Sequence, residues 1–210
     1  PLAWGCRAVR GRSAGIASKG APFGWSFLLA WVFCVFYLEI AGPAPAREAI
    51  AATGMGPAGV VLMVLPLAVT ILCLAIAILV EPLVGPPAAH PSLYGVATAA
   101  CTAGTPLLYA PDASMAGLLA AYVAGAVATG VGSAFLWVLW GEFYARLPQE
   151  DAEGLAPLST AAAVLLIAVV VLVDGWWRTA VSCAYVLAAG WMCWQCRPRP
   201  DDGAPSGRGE

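Results

Sequence analysis

Long apolar runs, separated by short polar or proline-rich segments, make up most of the chain. Six runs predict transmembrane helices, because each approaches or exceeds the roughly 20 apolar residues that cross a hydrocarbon core about 30 Å thick. Their predicted bounds are residues 21–41, 58–80, 92–110, 115–140, 155–173 and 179–195. The pattern therefore predicts an all-α, polytopic membrane helix bundle over residues 21–196, between a basic tail, 1–20, and a polar tail, 197–210, expected to be disordered.

The fourth run is the segment around which we expect the bundle to form. Small side chains recur in it at every fourth position, so they would form one ridge on a helix and let neighbouring backbones approach closely. The ridge consists of Gly117, Ala121, Gly125, Thr129 and Ser133. The third run is the expected neighbour, because it is rich in Ala, Gly and Thr and a short PDAS turn joins it to the fourth.

Two interpretations of the ridge stay open. In the simpler one, the small residues serve helix packing alone. In the other, polar and aromatic side chains on this helix also line a cavity for an unidentified small molecule. The candidate ligand-binding residues are Tyr122, Thr129, Ser133, Trp137 and Glu142.

Several features bear on how the helices begin and end. The first run follows basic residues and precedes an Ala44-x-Ala46 pattern, as in a secretory signal, but it exceeds the usual 7–15-residue apolar region, which favours a retained helix. Pro66 predicts a kink in the second span. Asp112 or Ser114 is expected to cap the fourth helix. The chain begins with Pro1 rather than Met, so we expect a fragment, a processed chain or a mis-started reading frame.

Composition and charge place the chain in a membrane. Hydrophobic residues make up 61% of the sequence and charged residues 10%, too apolar a balance for an ordinary soluble domain. If the N-terminus is inside and all six runs cross, every Lys and Arg except Arg47 and Arg178 is cytoplasmic. We therefore expect a multi-pass plasma-membrane protein with both termini in the cytoplasm and the lipid bilayer as its main partner.

The sequence gives no sign of catalytic chemistry. It contains no nucleophile–base pair, Walker loop or dinucleotide-binding fingerprint, so we expect neither enzymatic activity nor a cofactor. Cys193 and Cys196 form a lone C-x-x-C, and His90 is the single histidine, which leaves no plausible four-ligand zinc set. No basic patch indicates binding to nucleic acid.

The acidic residues of the spans have structural explanations. Glu39 and Glu142 each lie about one turn from a predicted interface, where a carboxylate reaches water at little cost. Glu142 and Arg146 are four residues apart and can pair on a helix, and Pro148 prevents its continuation. We therefore expect the WGEFYARLP segment to form a structured cytoplasmic junction.

Two motifs carry a resemblance to a known family. They are GWSFLLAWVFCVFYLEI in the first span and SAFLWVLWGEFYARLP at the end of the fourth. They resemble the membrane half of actinobacterial LuxR-type helix-turn-helix regulators, whose N-terminal region is similar to a major facilitator transporter. The family's Trp-Gly-Glu-aromatic motif is matched by Trp140, Gly141, Glu142, Phe143 and Tyr144.

The resemblance implies a sensory or regulatory membrane domain with half of a major facilitator fold. Such regulators carry about twice as many spans and a DNA-binding domain, so this chain would be a six-helix part without the output module. The alternative is half of a facilitator-like secondary transporter, with inverted three-helix repeats, that pairs with a second six-span unit or a second copy. The turn EPLVGPPAAHP lacks the Gly/Asp/Arg-rich signature of such transporters, which favours the regulator.

Overall fold

The computed structural model describes residues 14–42, 48–49, 52, 56–110 and 114–197. All regular structure in these ranges is helical, which confirms the predicted all-α class. Six long helices follow the order of the six predicted spans: α1 (Ala14–Val32), α2 (Pro57–Val84), α3 (Pro91–Leu108), α4 (Met115–Ala145), α5 (Gln149–Leu172) and α6 (Trp176–Gln195).

Three of these helices are long and apolar enough to cross a membrane by themselves. They are α2 from Gly59 onward, α4 and α5, and a shorter apolar segment runs over Phe23–Tyr37. These three helices therefore indicate a membrane-embedded protein. The six-span topology goes further than this finding, because the apolar segment of α1 is shorter, α3 is rich in Ala, Gly and Thr, and α6 has Arg178 in its first turn.

Helix ends differ from the predicted spans. α4 continues to Ala145 and α5 begins at Gln149, because polar residues that flank an apolar run can remain helical. The first helix, predicted to reach residue 41, changes at Phe33 into a π-helical segment that ends at Tyr37. Ser114 caps α4, its Oγ accepting from the Gly117 amide at 3.1 Å. Asp112, the other predicted cap, lies outside the described residues.

Close packing between α3 and α4 depends on glycine, as the ridge predicts. A Cβ atom on Gly125 would lie 2.8 Å from the Leu108 amide nitrogen and 2.9 Å from the Gly104 carbonyl oxygen. Each four-residue step exceeds one helical turn by about 40°, so the ridge winds around the helix. As a result, Gly125 and Thr129 meet α3, whereas Ser133 meets α2.

The packing of the bundle repeats after three helices. α4 packs against α2 and α3, α1 packs correspondingly against α5 and α6, and α3 packs against α6. If α1, α2 and α3 are exchanged with α4, α5 and α6 in that order, each closely packed pair therefore becomes another closely packed pair. If all six helices cross a membrane, an odd number per repeat forces the second repeat to be inverted relative to the first.

Candidate functional site

A pair of buried hydroxyl groups joins α2 to α4. Thr70 Oγ1 and Ser133 Oγ lie 2.9 Å apart. Thr70 Oγ1 is also 2.9 Å from the Pro66 carbonyl oxygen, and Ser133 Oγ is 3.1 Å from the Gly130 carbonyl oxygen. Each hydroxyl carries one proton but two acceptor lone pairs. The pair therefore keeps acceptor capacity that an incoming donor could use.

A cavity of about 220 Å³ opens beside this hydroxyl pair, between α1, α2 and α4. Apart from Thr70 and Ser133, its walls are mainly aliphatic and aromatic. They include Phe36 and Tyr37 of the π-helical segment that follows α1, Leu67 and Leu74 of α2, and Trp137 of α4. A mostly apolar wall with a few convergent polar groups is typical of small-molecule sites. The volume is below the roughly 300–1,000 Å³ of drug-sized pockets, so a ligand here must be small.

The α1 wall of this cavity has irregular helix geometry. The amide of Leu38 donates to the Phe33 carbonyl oxygen at 2.8 Å, a bond across five residues instead of four. Such π-turns are rare and occur often at functional sites. Glu39 follows with a φ of 55°, in the left-handed region that non-glycine residues seldom adopt. The backbone of this wall thus departs from regular α-helical geometry at two successive places.

Aromatic side chains pack behind Trp137. The rings of Trp25 and Trp137 meet edge to face with centroids 4.8 Å apart, and Trp25 also contacts Tyr144 at 5.5 Å. Trp140 is fully buried, and a Cβ atom on Gly24 would lie 2.5 Å from its ring. Glycine at position 24 therefore leaves the space that the Trp140 ring occupies beside α1.

The structure brings two of the five candidate ligand-binding residues to the cavity, Ser133 and Trp137. Thr129 is instead buried against α3, and its hydroxyl donates to the Gly125 carbonyl oxygen at 2.7 Å. Tyr122 is 1% exposed, and its hydroxyl has no hydrogen-bond partner within the described ranges. Ligand binding by any of these residues stays a prediction.

Glu142 holds the turn between α2 and α3 rather than facing the cavity. Its Oε1 accepts from the Ala88 amide at 3.2 Å, and its Oε2 accepts from Arg146 Nη2 at 2.8 Å. The expected Glu142–Arg146 pair is therefore present. The carboxylate anchors a single 3-10 turn, Pro87–Ala89, to the end of α4.

The cysteines and the histidine do not converge. Cys193 is buried and Cys196 partly buried, both as free thiols. Burial raises the pKa of the Cys196 thiol, so it stays protonated near neutral pH and is a poor nucleophile or metal ligand. No group of three potential metal ligands forms in the part of the chain that the structure describes. His90 is exposed, with Nε2 3.2 Å from the Val84 carbonyl oxygen.

Six of the eight residues that line the cavity were not indicated by the sequence pattern, and they are Val32, Phe36, Tyr37, Leu67, Thr70 and Leu74. Thr70 had a usable signal, because it is the single hydroxyl residue in the apolar run 58–80. An isolated hydroxyl in such a helix can be satisfied by its own backbone or by a neighbouring helix. Phe36 had no comparable signal, since the first span is aromatic throughout.

No known protein-family model matches the chain, and no curated protein or solved structure is significantly similar to it. The resemblance to LuxR-type membrane domains therefore stays a prediction from the motifs of the first and fourth spans.

Proposed function

We propose that the chain is a membrane-embedded sensory domain, as its resemblance to LuxR-type regulators implies. We propose further that it binds a small molecule between α1, α2 and α4. The observation that carries the proposal is the Thr70–Ser133 hydroxyl pair at the wall of an otherwise apolar cavity. A ligand with a hydrogen-bond donor would use the free lone pairs of this pair. Its apolar part would contact Trp137.

A signal from this cavity would travel along α4. Ser133 and Glu142 are nine residues apart on that helix, or roughly 14 Å at about 1.5 Å per residue. A ligand that binds one arrangement of α2 and α4 more tightly than another shifts the population toward it. Glu142 would then shift the Pro87–Ala89 turn, which our topology places in the cytoplasm. A DNA-binding output module would belong to another part of a longer protein.

The binding step is tested on the purified protein in lipid nanodiscs. A library of small hydrogen-bond donors is screened by thermal shift, and hits are titrated against the Thr70→Val/Ser133→Ala double variant. One neutral hydrogen bond contributes about 0.5–1.5 kcal/mol, so the variant should lose roughly three- to tenfold in affinity. Thr160→Val is the matched control, because Thr160 is exposed on α5 and bonds only within its own helix. Hits that bind all three proteins equally would refute the site.

The regulatory step has its own test. Extending the reading frame on both sides of this sequence in the source genome should reveal a helix-turn-helix segment in the same protein. Finding none would contradict the regulator while leaving the ligand site in place.

A second candidate function is half of a facilitator-like carrier, which the repeated packing of three helices favours. The helices α2 and α5 occupy corresponding positions, and their most apolar segments are only 11% and 17% buried, against 56% for α4. A second six-span unit would pack against them. Cross-linking in mild detergent tests this, and a strictly monomeric protein would count against the carrier.

A further inference from the structure

A second cavity lies farther along α2, toward its C-terminal end. It has a volume of about 380 Å³ and is lined by α2, the turn to α3, the first residues of α3, and Phe135 of α4. α2 and α3 both pack on α4 but hardly on each other, which leaves a cleft between them. This volume reaches the roughly 300–1,000 Å³ typical of ligand pockets, whereas the cavity beside Thr70 does not.

The cleft is apolar along its length and polar at one end. Cys73, Ile76, Ala77 and Val80 line it over two turns of α2, roughly 10 Å of helix. The polar side chains gather where α2 meets α3, and they are Glu81, His90 and Ser92. This arrangement matches an amphiphile whose aliphatic chain lies along α2 and whose head group sits at the turn.

Charge decides which head group fits. The Glu81 carboxylate is exposed and makes no hydrogen bond or ion pair with any described residue. No Lys or Arg lines the cleft, so an anionic head group would face an uncompensated carboxylate. An ammonium group would instead gain a counter-ion at the membrane edge, where the charge remains solvated.

We propose that the α2–α3 cleft binds an amphiphile of the bilayer that consists of one aliphatic chain and an ammonium head group, with Glu81 as the counter-ion. The site is independent of the cavity beside Thr70, so either can exist without the other. Its ligand enters from the lipid, because the gap between α2 and α3 opens along the apolar surface of these two helices.

The test uses dodecyltrimethylammonium as the probe. Radiolabelled probe is titrated onto the full chain in digalactosyldiacylglycerol nanodiscs, whose uncharged head groups carry no ammonium, and binding to empty nanodiscs is subtracted. The wild-type protein should bind it saturably. Glu81→Gln should weaken binding by roughly two- to fivefold, the upper part of the range for a solvated charge contact. Glu150→Gln, at an exposed acid near the start of α5, should bind like the wild type.

Two further measurements separate head-group recognition from simple partitioning. Dodecyl maltoside and dodecyl phosphate carry the same chain with neutral and anionic heads, and neither should displace the probe. Ala77→Phe should fill the cleft and abolish saturable binding. The proposal is overturned if Glu81→Gln binds like the wild type, if the neutral or anionic amphiphile competes equally, or if binding never saturates. Effective competition by dodecyl phosphate would point to a phosphate-headed lipid instead and would equally overturn it.

Discussion

The indole nitrogen of Trp31, on α1, donates a hydrogen bond to the hydroxyl oxygen of Thr105, on α3, at 3.0 Å. Both side chains are fully buried. The Thr105 hydroxyl in turn donates to the Cys101 carbonyl oxygen at 2.7 Å, so its orientation is fixed by its own helix. The bond therefore connects two helices of one repeat through polar groups that have no access to water.

Thr105→Val should destabilise the protein, because it leaves the Trp31 nitrogen buried without an acceptor. We expect a loss of about 1–2 kcal/mol, above the ~0.6 kcal/mol average for interhelical hydrogen bonds in membranes. Unfolding in a mixed-detergent titration measures the loss. Trp31→Phe combined with Thr105→Val should cost less than the two single changes added together. Strict additivity would show that the bond contributes nothing.

Gly125→Leu should damage the bundle far more than Val123→Leu. A side chain at Gly125 would collide with backbone atoms of Leu108 and Gly104, which cannot move aside as a flexible side chain can. Val123 is 36% exposed, so extra bulk there meets lipid. Midpoints of thermal aggregation in detergent compare the variants. Equal losses would mean that α3 does not pack on the glycine ridge.

The sequence pattern located the helices and the α3–α4 contact but not the cavity. Gly125 was predictable because small residues four apart mark a close helix contact whatever the partner is. Ser133 was placed on the same ridge, yet the winding of that ridge turns it toward α2. Thr70 and the π-helical turn could not be assigned to a site, since their role depends on which helices become neighbours. The hydropathy pattern says little about which helices become neighbours.

Glu142→Ala should loosen the turn between α2 and α3, and Glu142→Gln should loosen it less, because the amide oxygen can still accept from Ala88. The carboxylate side chain is 20% exposed, so we expect a stability loss of no more than about 1 kcal/mol. Hydrogen exchange at the Ala88 amide is the sensitive measurement. Glu150→Gln serves as a control and should leave that exchange rate unchanged.

The six-span topology rests on α1, whose apolar segment is short, and on α3 and α6, the two helices that are least apolar. α3 has 18 residues and α6 has 20, or roughly 27 and 30 Å of helix. α6 matches a hydrocarbon core about 30 Å thick, and α3 is about 3 Å shorter but still within the roughly 17–25 residues of membrane-crossing helices. They pack on each other, and Gly190 of α6 meets Thr98 of α3 directly. Their small and polar side chains can therefore face protein rather than lipid.

Cysteine accessibility tests this topology in intact cells. In a variant with all seven cysteines replaced, Asp174→Cys should react with a membrane-impermeant maleimide from outside, because residue 174 follows five crossings. Its side chain is 98% exposed, so access does not limit the reaction. Glu150→Cys, after four crossings, should react only once the cells are permeabilised. Labelling of both from the same side would show that α5 does not cross. Exchanged sides would show either that the whole bundle is inverted or that an odd number of the first four helices fails to cross.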